Sequence, residues 1–308
     1  MARIVIVGEG MLELSGEGGA WRLGHGGDAL NTAIHLARRG HAVRFLTALG
    51  SDRFSRRLRQ AWIDEGIDDA LILTHPTRHA GLYAIALDQR GERSFTYWRE
   101  ASAARAMLDL PGAAAALDEA ERAELLYFSL ISLAILPAAG RERLLALAAA
   151  VRAGGGRVAF DGNYRPALWP SPDEARAARD EAIARADIGL PTFADEAALS
   201  GAASPQAVAD QWRERGCAEV VVKLGAQGCL LPDGRVTEPE RVLDPVDTSG
   251  AGDAFNAGYL DARLTGLDPE AAARAGHRLA AWTIMRPGAI PPRDQRSGCF
   301  MQDSPGSL

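Results

Sequence analysis

Asp247-Thr248-Ser249-Gly250-Ala251-Gly252-Asp253-Ala254-Phe255 runs a string of small residues directly into a stretch that continues through Asn256, Ala257, Gly258 and Tyr259. The pattern predicts a helix over residues 249–264. The first backbone N–H groups of a helix have no intrahelical partners, and the helix dipole adds positive potential at that end. Those of Gly250, Ala251 and Gly252 would converge on one spot suited to an anion such as a transferring phosphoryl group. A carboxylate so placed would repel a merely bound phosphate. It makes chemical sense if Asp253 accepts the proton of an attacking hydroxyl, because phosphoryl transfer asks for little beyond positioning, charge neutralisation and such a base. Taken alone, the same residues also suit an ordinary capped helix start.

Upstream of this stretch the chain alternates between strand and helix patterns. Arg3–Val7, 43–49, Leu125–Ser129, Arg157–Asp161, 187–190 and 219–224 read as buried strands, and 138–152 and 205–215 as helices between them. A further helix opens at Gly26-Gly27-Asp28 with Leu30, Ala33, Ile34 and Ala37 on one face, another covers 54–65, and one over 269–285 follows the quoted stretch. Alternation of this kind specifies an α/β fold with a mostly parallel, doubly wound sheet. Gly81–Leu87 and Arg93–Trp98, joined by Asp88-Gln89-Arg90-Gly91, form a hairpin pattern inside it. Together with short extended pieces at 11–14 and 19–23, this hairpin predicts a β lid, built from about 11–23 and 79–100, on a single domain spanning 1–308. A second hairpin is expected over 229–231 and 235–237. The apolar run 125–139 reads as a buried strand followed by a turn.

Composition narrows the function. The 308 residues are 47% apolar and carry a net charge of −6, which supplies a sizeable core and no basic surface for nucleic acid. The three cysteines, Cys217, Cys229 and Cys299, form no Cys-x-x-Cys pair, as expected of a reduced, cytoplasmic protein. No signal-peptide or membrane-spanning pattern is found. Gly8-Glu9-Gly10 lacks the third glycine of a dinucleotide fingerprint, and no P-loop is present. His75 and His79 fall in a turn around Pro76-Thr77 and read as loop histidines, while Trp62, Trp212 and Trp282 read as core residues.

The quoted stretch resembles the C-terminal signature of the ribokinase-like (PfkB-type) carbohydrate kinase family. Gly26-Gly27-Asp28-Ala29-Leu30-Asn31-Thr32-Ala33 resembles the family's substrate segment, and Val221-Val222-Lys223-Leu224-Gly225-Ala226-Gln227-Gly228 its nucleotide segment. The three appear in the family's order across nearly the whole chain. The resemblance implies a ribokinase-like fold, ATP and Mg²⁺, and transfer to a primary hydroxyl with Asp253 as base and Gly250, Ala251 and Gly252 as the anion hole. Lys223, the only lysine in the chain, would lie along ATP with Gly225 and Gly228; its plainer reading is a solvated strand-end residue.

Three further patterns resemble the subgroup that phosphorylates 2-keto-3-deoxygluconate. They are Gly8-Glu9-Gly10-Met11-Leu12-Glu13-Leu14, Tyr97-Trp98-Arg99 followed by Ser102-Ala103-Ala104, and Asp161-Gly162-Asn163-Tyr164-Arg165-Pro166 followed by Trp169. The resemblance places Gly27 and Asn31 on the hydroxyl-bearing chain, Tyr83, Tyr97 and Arg99 on the lid, Arg165 on the carboxylate, and Asn163 between substrate and nucleotide. It also suggests Gly288-Ala289-Ile290-Pro291 as a lining loop and a monovalent cation near Asp247. Arg99 and Arg165, if unpaired, would favour an acid over a neutral sugar or nucleoside. Thr192 stands where many relatives carry the Asn of Asn-x-x-Glu, which leaves Asp195 or Glu196 to serve Mg²⁺, directly or through water. A homo-oligomer is expected from the apolar lid residues Phe95 and Tyr97, and a non-catalytic sugar sensor is the reading from another class.

Overall fold

The computed structural model describes residues 2–17, 20–87, 93–241 and 243–293. The chain begins β1 (Arg3–Val7), β2 (Met11–Glu17), β3 (Ala20–Gly26), α1 (Asp28–Arg38), β4 (Ala42–Gly50) and α2 (Arg53–Asp64). The short strands β5 (Ile67–Asp68) and β6 (Ile72–His75) lead to β7 (Gly81–Leu87) and β8 (Arg93–Trp98). Then come α3 (Ala113–Ala120), β9 (Leu125–Ser129), α4 (Leu130–Ile135), α5 (Ala138–Ala153), β10 (Arg157–Asp161) and α6 (Pro172–Ile183). They are followed by β11 (Ile188–Gly189), α7 (Phe193–Ser200), α8 (Pro205–Glu214), β12 (Glu219–Val220) and β13 (Val222–Lys223). β14 (Cys229–Leu230), β15 (Val236–Thr237), α9 (Ala251–Leu264) and α10 (Pro269–Ile284) close the described chain.

The main sheet has eight strands in the order β12-β11-β10-β9-β1-β4-β5, with β6 also beside β4. Its pairings are all parallel. Strand side chains alternate between two cores. Val5, Val7, Leu126, Phe128, Val158 and Phe160 pack on one face, and Ile4, Ile6, Leu125, Tyr127 and Ala159 on the other. A strand buried on both sides must be apolar throughout, which is why β1 and β9 read as continuous apolar runs. Each large side chain so buried contributes roughly 1.5–3 kcal/mol.

The lid is a four-stranded sheet in the order β3-β2-β7-β8. Its two hairpins are antiparallel, and they join side by side through the parallel β2–β7 pair. The connection between β7 and β8, residues 88–91 of the expected hairpin, and Cys299 lie outside the described residues. Cys217 and Cys229 are buried free thiols. No helix among the described residues is long and apolar enough to cross a membrane.

Two expectations need correction. The run 125–139 does not end in a turn. Ser129 caps α4 through a capping box with Ser132, and α5 follows directly. The expected strand 219–224 divides at Val221. β12 belongs to the main sheet, whereas β13 turns away to pair with β14 in a separate antiparallel sheet.

Candidate active site

The site gathers where the C-terminal ends of β1, β9 and β10 meet the starts of α1 and α9, as the topology of an open α/β sheet leads one to expect. A cavity of about 1020 Å³ lies between this edge and the lid. The structure brings Gly27, Asn31, Tyr83, Tyr97, Arg99, Asn163, Arg165, Asp195, Lys223, Gly250, Ala251, Gly252 and Asp253 to its wall. Gly225, Gly228 and Glu196 do not line it.

α9 starts two residues inside the expected span, with Gly250 as its N-cap in a left-handed conformation, φ 70°. A side chain there would be strained and would lie 2.6 Å from the Ala289 Cβ. No side chain caps this helix. The Ala251 N–H leans back to the Thr248 carbonyl at 3.3 Å, so it is not wholly available to an anion. Gly27 also has positive φ, at 148°, and any side chain on it would run into the Glu9 carbonyl.

Asp253 is buried at the cavity wall. Asn31 Nδ2 donates to its Oδ2 at 2.8 Å. Burial first, then the negative charge of Asp28, pushes its carboxyl up to about 8; Asn31 and Lys223 act the other way. Asp28 itself accepts from Ser129 Oγ at 2.5 Å and Asn163 Nδ2 at 3.2 Å.

Lys223 is not a solvated strand-end residue. It is buried, and its Nζ donates to Asp161 at 3.1 Å and Asn256 at 3.0 Å. Asn256 donates in turn to Asp161 at 2.8 Å and the Tyr127 hydroxyl at 3.1 Å. The Lys223 Nζ lies 3.7 Å from where a side chain on Gly252 would begin, so the ammonium stands beside the start of α9.

The two arginines expected to face a carboxylate are both in the cavity wall, but neither is unpaired. Arg99, only 6% exposed, holds buried Glu9 Oε2 through Nε at 2.8 Å and Nη2 at 2.5 Å. Arg165 is half exposed and pairs with Asp195 at 3.2 Å. Burial raises the Asp195 carboxyl above its ordinary range. Glu196 points elsewhere: fully buried, it pairs with the Arg179 guanidinium at 2.7 Å. On the lid, the Tyr83 hydroxyl donates to Glu13, and Arg99 lies over the Tyr97 ring at 5.8 Å.

Asp28, Asp161, Asn256, Tyr127 and Glu9 were not singled out by sequence reasoning. Asn256, fully buried one turn beyond Asp253, could have been found as a polar residue on an apolar helix face. So could Tyr127 and Glu9, each a polar group in or just after a buried strand. Of the residues set aside, Trp62 and Trp212 are fully buried, Trp282 is half-buried under Arg286, and exposed His79 pairs with Asp52 at 2.9 Å.

The chain is 42% identical over 302 residues to the 2-dehydro-3-deoxygluconokinase of Escherichia coli strain K12, covering 95% of this chain and 98% of that relative. Among solved structures, a PfkB protein from Polaromonas sp. JS666 superposes with a TM-score of 0.82 at 30% identity, covering 94% of this chain and 97% of that one. A fructokinase with bound ATP from Xylella fastidiosa superposes with a TM-score of 0.80 at 25% identity, covering 94% of each chain. Residues 1–296 match the family described as pfkB family carbohydrate kinase, and the chain belongs to that family.

Proposed function

We propose that this chain transfers the γ-phosphoryl group of ATP to the terminal hydroxyl of a keto-deoxy sugar acid, 2-keto-3-deoxygluconate. The observation that carries this reading is the buried Asp253 carboxyl, hydrogen-bonded by Asn31, at the glycine-opened start of α9 in the cavity wall. The likeness to the E. coli 2-dehydro-3-deoxygluconokinase supplies the acceptor.

In this reading the acceptor hydroxyl lies against Asp253, with Asn31 fixing which carboxylate oxygen remains for it. Asp253 takes the hydroxyl proton as the oxygen forms its bond to the γ-phosphorus. The bond from that phosphorus to the β,γ-bridging oxygen breaks, and ADP leaves with the electron pair. The N–H groups at the start of α9 and the Lys223 ammonium face the charge that develops. Lid closure over the acid would exclude water.

Asp28, Asp161, Asp195, Asp247 and Asp253 all line the cavity, a surplus of carboxylates that suits a nucleotide carrying Mg²⁺. Among the described residues no three His, Cys, Asp or Glu side chains cluster to hold a metal. Phosphate oxygens and water would therefore supply most of the Mg²⁺ ligands, and the bound ion would neutralise phosphate charge. Asp195 is the better placed of the two expected acidic residues, because it lines the cavity, whereas Glu196 is buried away from it against Arg179. A monovalent cation near Asp247 is kept as part of the reading on family likeness alone.

For the acid's carboxylate, Arg99 offers Nη1 and Arg165 offers Nη2, since the ion pairs that each forms among the described residues engage other nitrogens. The counter-charges of Glu9 and Asp195 are also the one observation favouring a neutral-sugar kinase, the lesser reading. The edge strand β8 exposes Phe95, Tyr97 and Trp98 by 45%, 46% and 53%, which supports a homo-oligomer. An ADP-release assay with MgATP and a panel of 2-keto-3-deoxygluconate, its galactonate epimer, fructose, ribose and adenosine tests the function. Turnover confined to the keto-deoxy acids is expected. Turnover on a neutral sugar alone would overturn the acid assignment, and none on any acceptor would favour a sensor.

A further inference from the structure

The segment after α10 is tied down at both of its sides. On one side, Asp247 accepts from Ser249 N at 2.7 Å and from Gly288 N at 2.8 Å, linking the approach to α9 with this segment. On the other, α1 holds it. His35 Nε2 meets the Ala289 carbonyl at 3.2 Å, and Arg38 Nη1 donates to the Pro291 carbonyl at 2.8 Å. Arg38 is itself anchored by two 2.7 Å bonds to Glu65. Between these ties Ala289 packs against Gly250 so closely that no Cβ fits.

His35 follows Asn31 by one helical turn, so the two lie on the same face of α1. That face therefore fixes two parts of the site, Asp253 through Asn31 and the backing of Gly250 through His35. His35 is only 2% exposed, and a carbonyl can only accept, so Nε2 must carry the proton. The charged groups facing the ring are Arg38, Arg39 and Glu65; burial chiefly, with Arg38, pushes the imidazole down to about 4 and keeps it neutral at ordinary pH.

We propose that His35 is a positioning residue for phosphoryl transfer: its Nε2–H fixes the Ala289 carbonyl, and so holds residues 288–291 against Gly250 and sets the aim of the N–H groups at the start of α9. This rests on the proposed reading of that helix start as the phosphoryl pocket. It concerns a residue whose side chain lies outside the cavity wall.

The test compares His35→Leu, which removes the donor, with His35→Gln, whose amide nitrogen can stand at the place of Nε2. His35→Leu is expected to lower kcat about tenfold or more while the acceptor KM changes less than about threefold. His35→Gln is expected to recover most of the loss. A second readout needs no turnover: the affinity for MgADP with aluminium fluoride, a mimic of the transferring group, against that for MgADP alone. His35→Leu should lose most of the tightening that fluoride brings and keep its affinity for MgADP. If His35→Leu does not fold, His35→Asn replaces it, since its amide nitrogen falls at Nδ1 and cannot span to Ala289.

Equal defects in the Leu (or Asn) and Gln variants, an effect on KM alone, or unchanged tightening would each overturn the proposal. Should the wild-type protein show no tightening with fluoride, the phosphoryl-pocket reading itself would fail, and the role of His35 with it. Tightening with fluoride but no turnover of any sugar acid would leave the role of His35 readable and remove only the acceptor assignment.

Discussion

Asn31 Nδ2 donates to Asp253 Oδ2 at 2.8 Å across 222 positions of sequence, joining the first turns of α1 and α9. One oxygen of the carboxylate is thereby committed; in the proposed reading the other takes the acceptor hydroxyl. Asp253→Asn keeps the shape and removes the base. It should lower kcat by about 10²–10⁴ while acceptor affinity, measured by calorimetry, stays within about threefold. Survival of turnover near the wild-type rate would remove Asp253 from the proton transfer.

The same substitution should alter stability with a definite sign. The Asp253 carboxyl is raised to about 8 by burial and then by Asp28, well above the ordinary carboxylate range near 4. Between these limits the native state binds a proton that the unfolded chain has released, so the contribution of Asp253 becomes more unfavourable as pH rises. Asp253→Asn should therefore raise Tm more at pH 8 than at pH 5. An equal gain at both would mean that the carboxyl titrates in its ordinary range.

Glu9 and Arg99 form a buried pair between the end of β1 and the end of β8. Removing one partner leaves the other charge uncompensated, at a cost of about 3–5 kcal/mol. Glu9→Gln should thus lower Tm clearly. Arg99→Ala should lower Tm and also raise KM for the acid above its effect on any neutral substrate. A Tm unchanged in both variants would show that the pair opens readily in solution.

Adjacent residues Asp195 and Glu196 should behave differently. Glu196→Gln breaks its buried pair with Arg179, whose guanidinium keeps Asp180 as a counter-charge, so it should lower Tm by less than the about 3–5 kcal/mol of an uncompensated buried charge implies, without changing the Mg²⁺ concentration that gives half-maximal rate. Asp195→Asn should raise that concentration and leave Tm nearly alone, because its partner Arg165 is half exposed. The reverse pattern would assign the acidic role to Glu196.

The α/β alternation and the helix start at Gly250 were legible because both are written in local pattern: apolar runs, small residues, a change of period. β1, β7, β8, β9 and β10 match their expected spans. What local pattern cannot show is who neutralises whom. Arg99 looked available in sequence because Glu9 lies 90 positions away. Lys223 was expected along ATP, but its partners Asp161 and Asn256 come from two other elements and had no signature in its own segment. The break at Val221 was hidden for a related reason. Residues 219–224 are apolar enough for one strand, and only the pairing with Cys229–Leu230 draws the last part away.

The lid is not one contiguous insertion. β2 and β3 belong to one excursion of the chain and β7 and β8 to another, and the two are held together by the parallel β2–β7 ladder. The lid therefore joins the core through four separate strands of backbone, near Gly8–Gly10, Gly26–Gly27, 76–80 and 99–102. A plate held at four points swings only about an axis that all four allow. Excising or exchanging it as a module would require two cuts in register, and each half alone would leave the inner edge of β2 or of β7 with its ladder unmade.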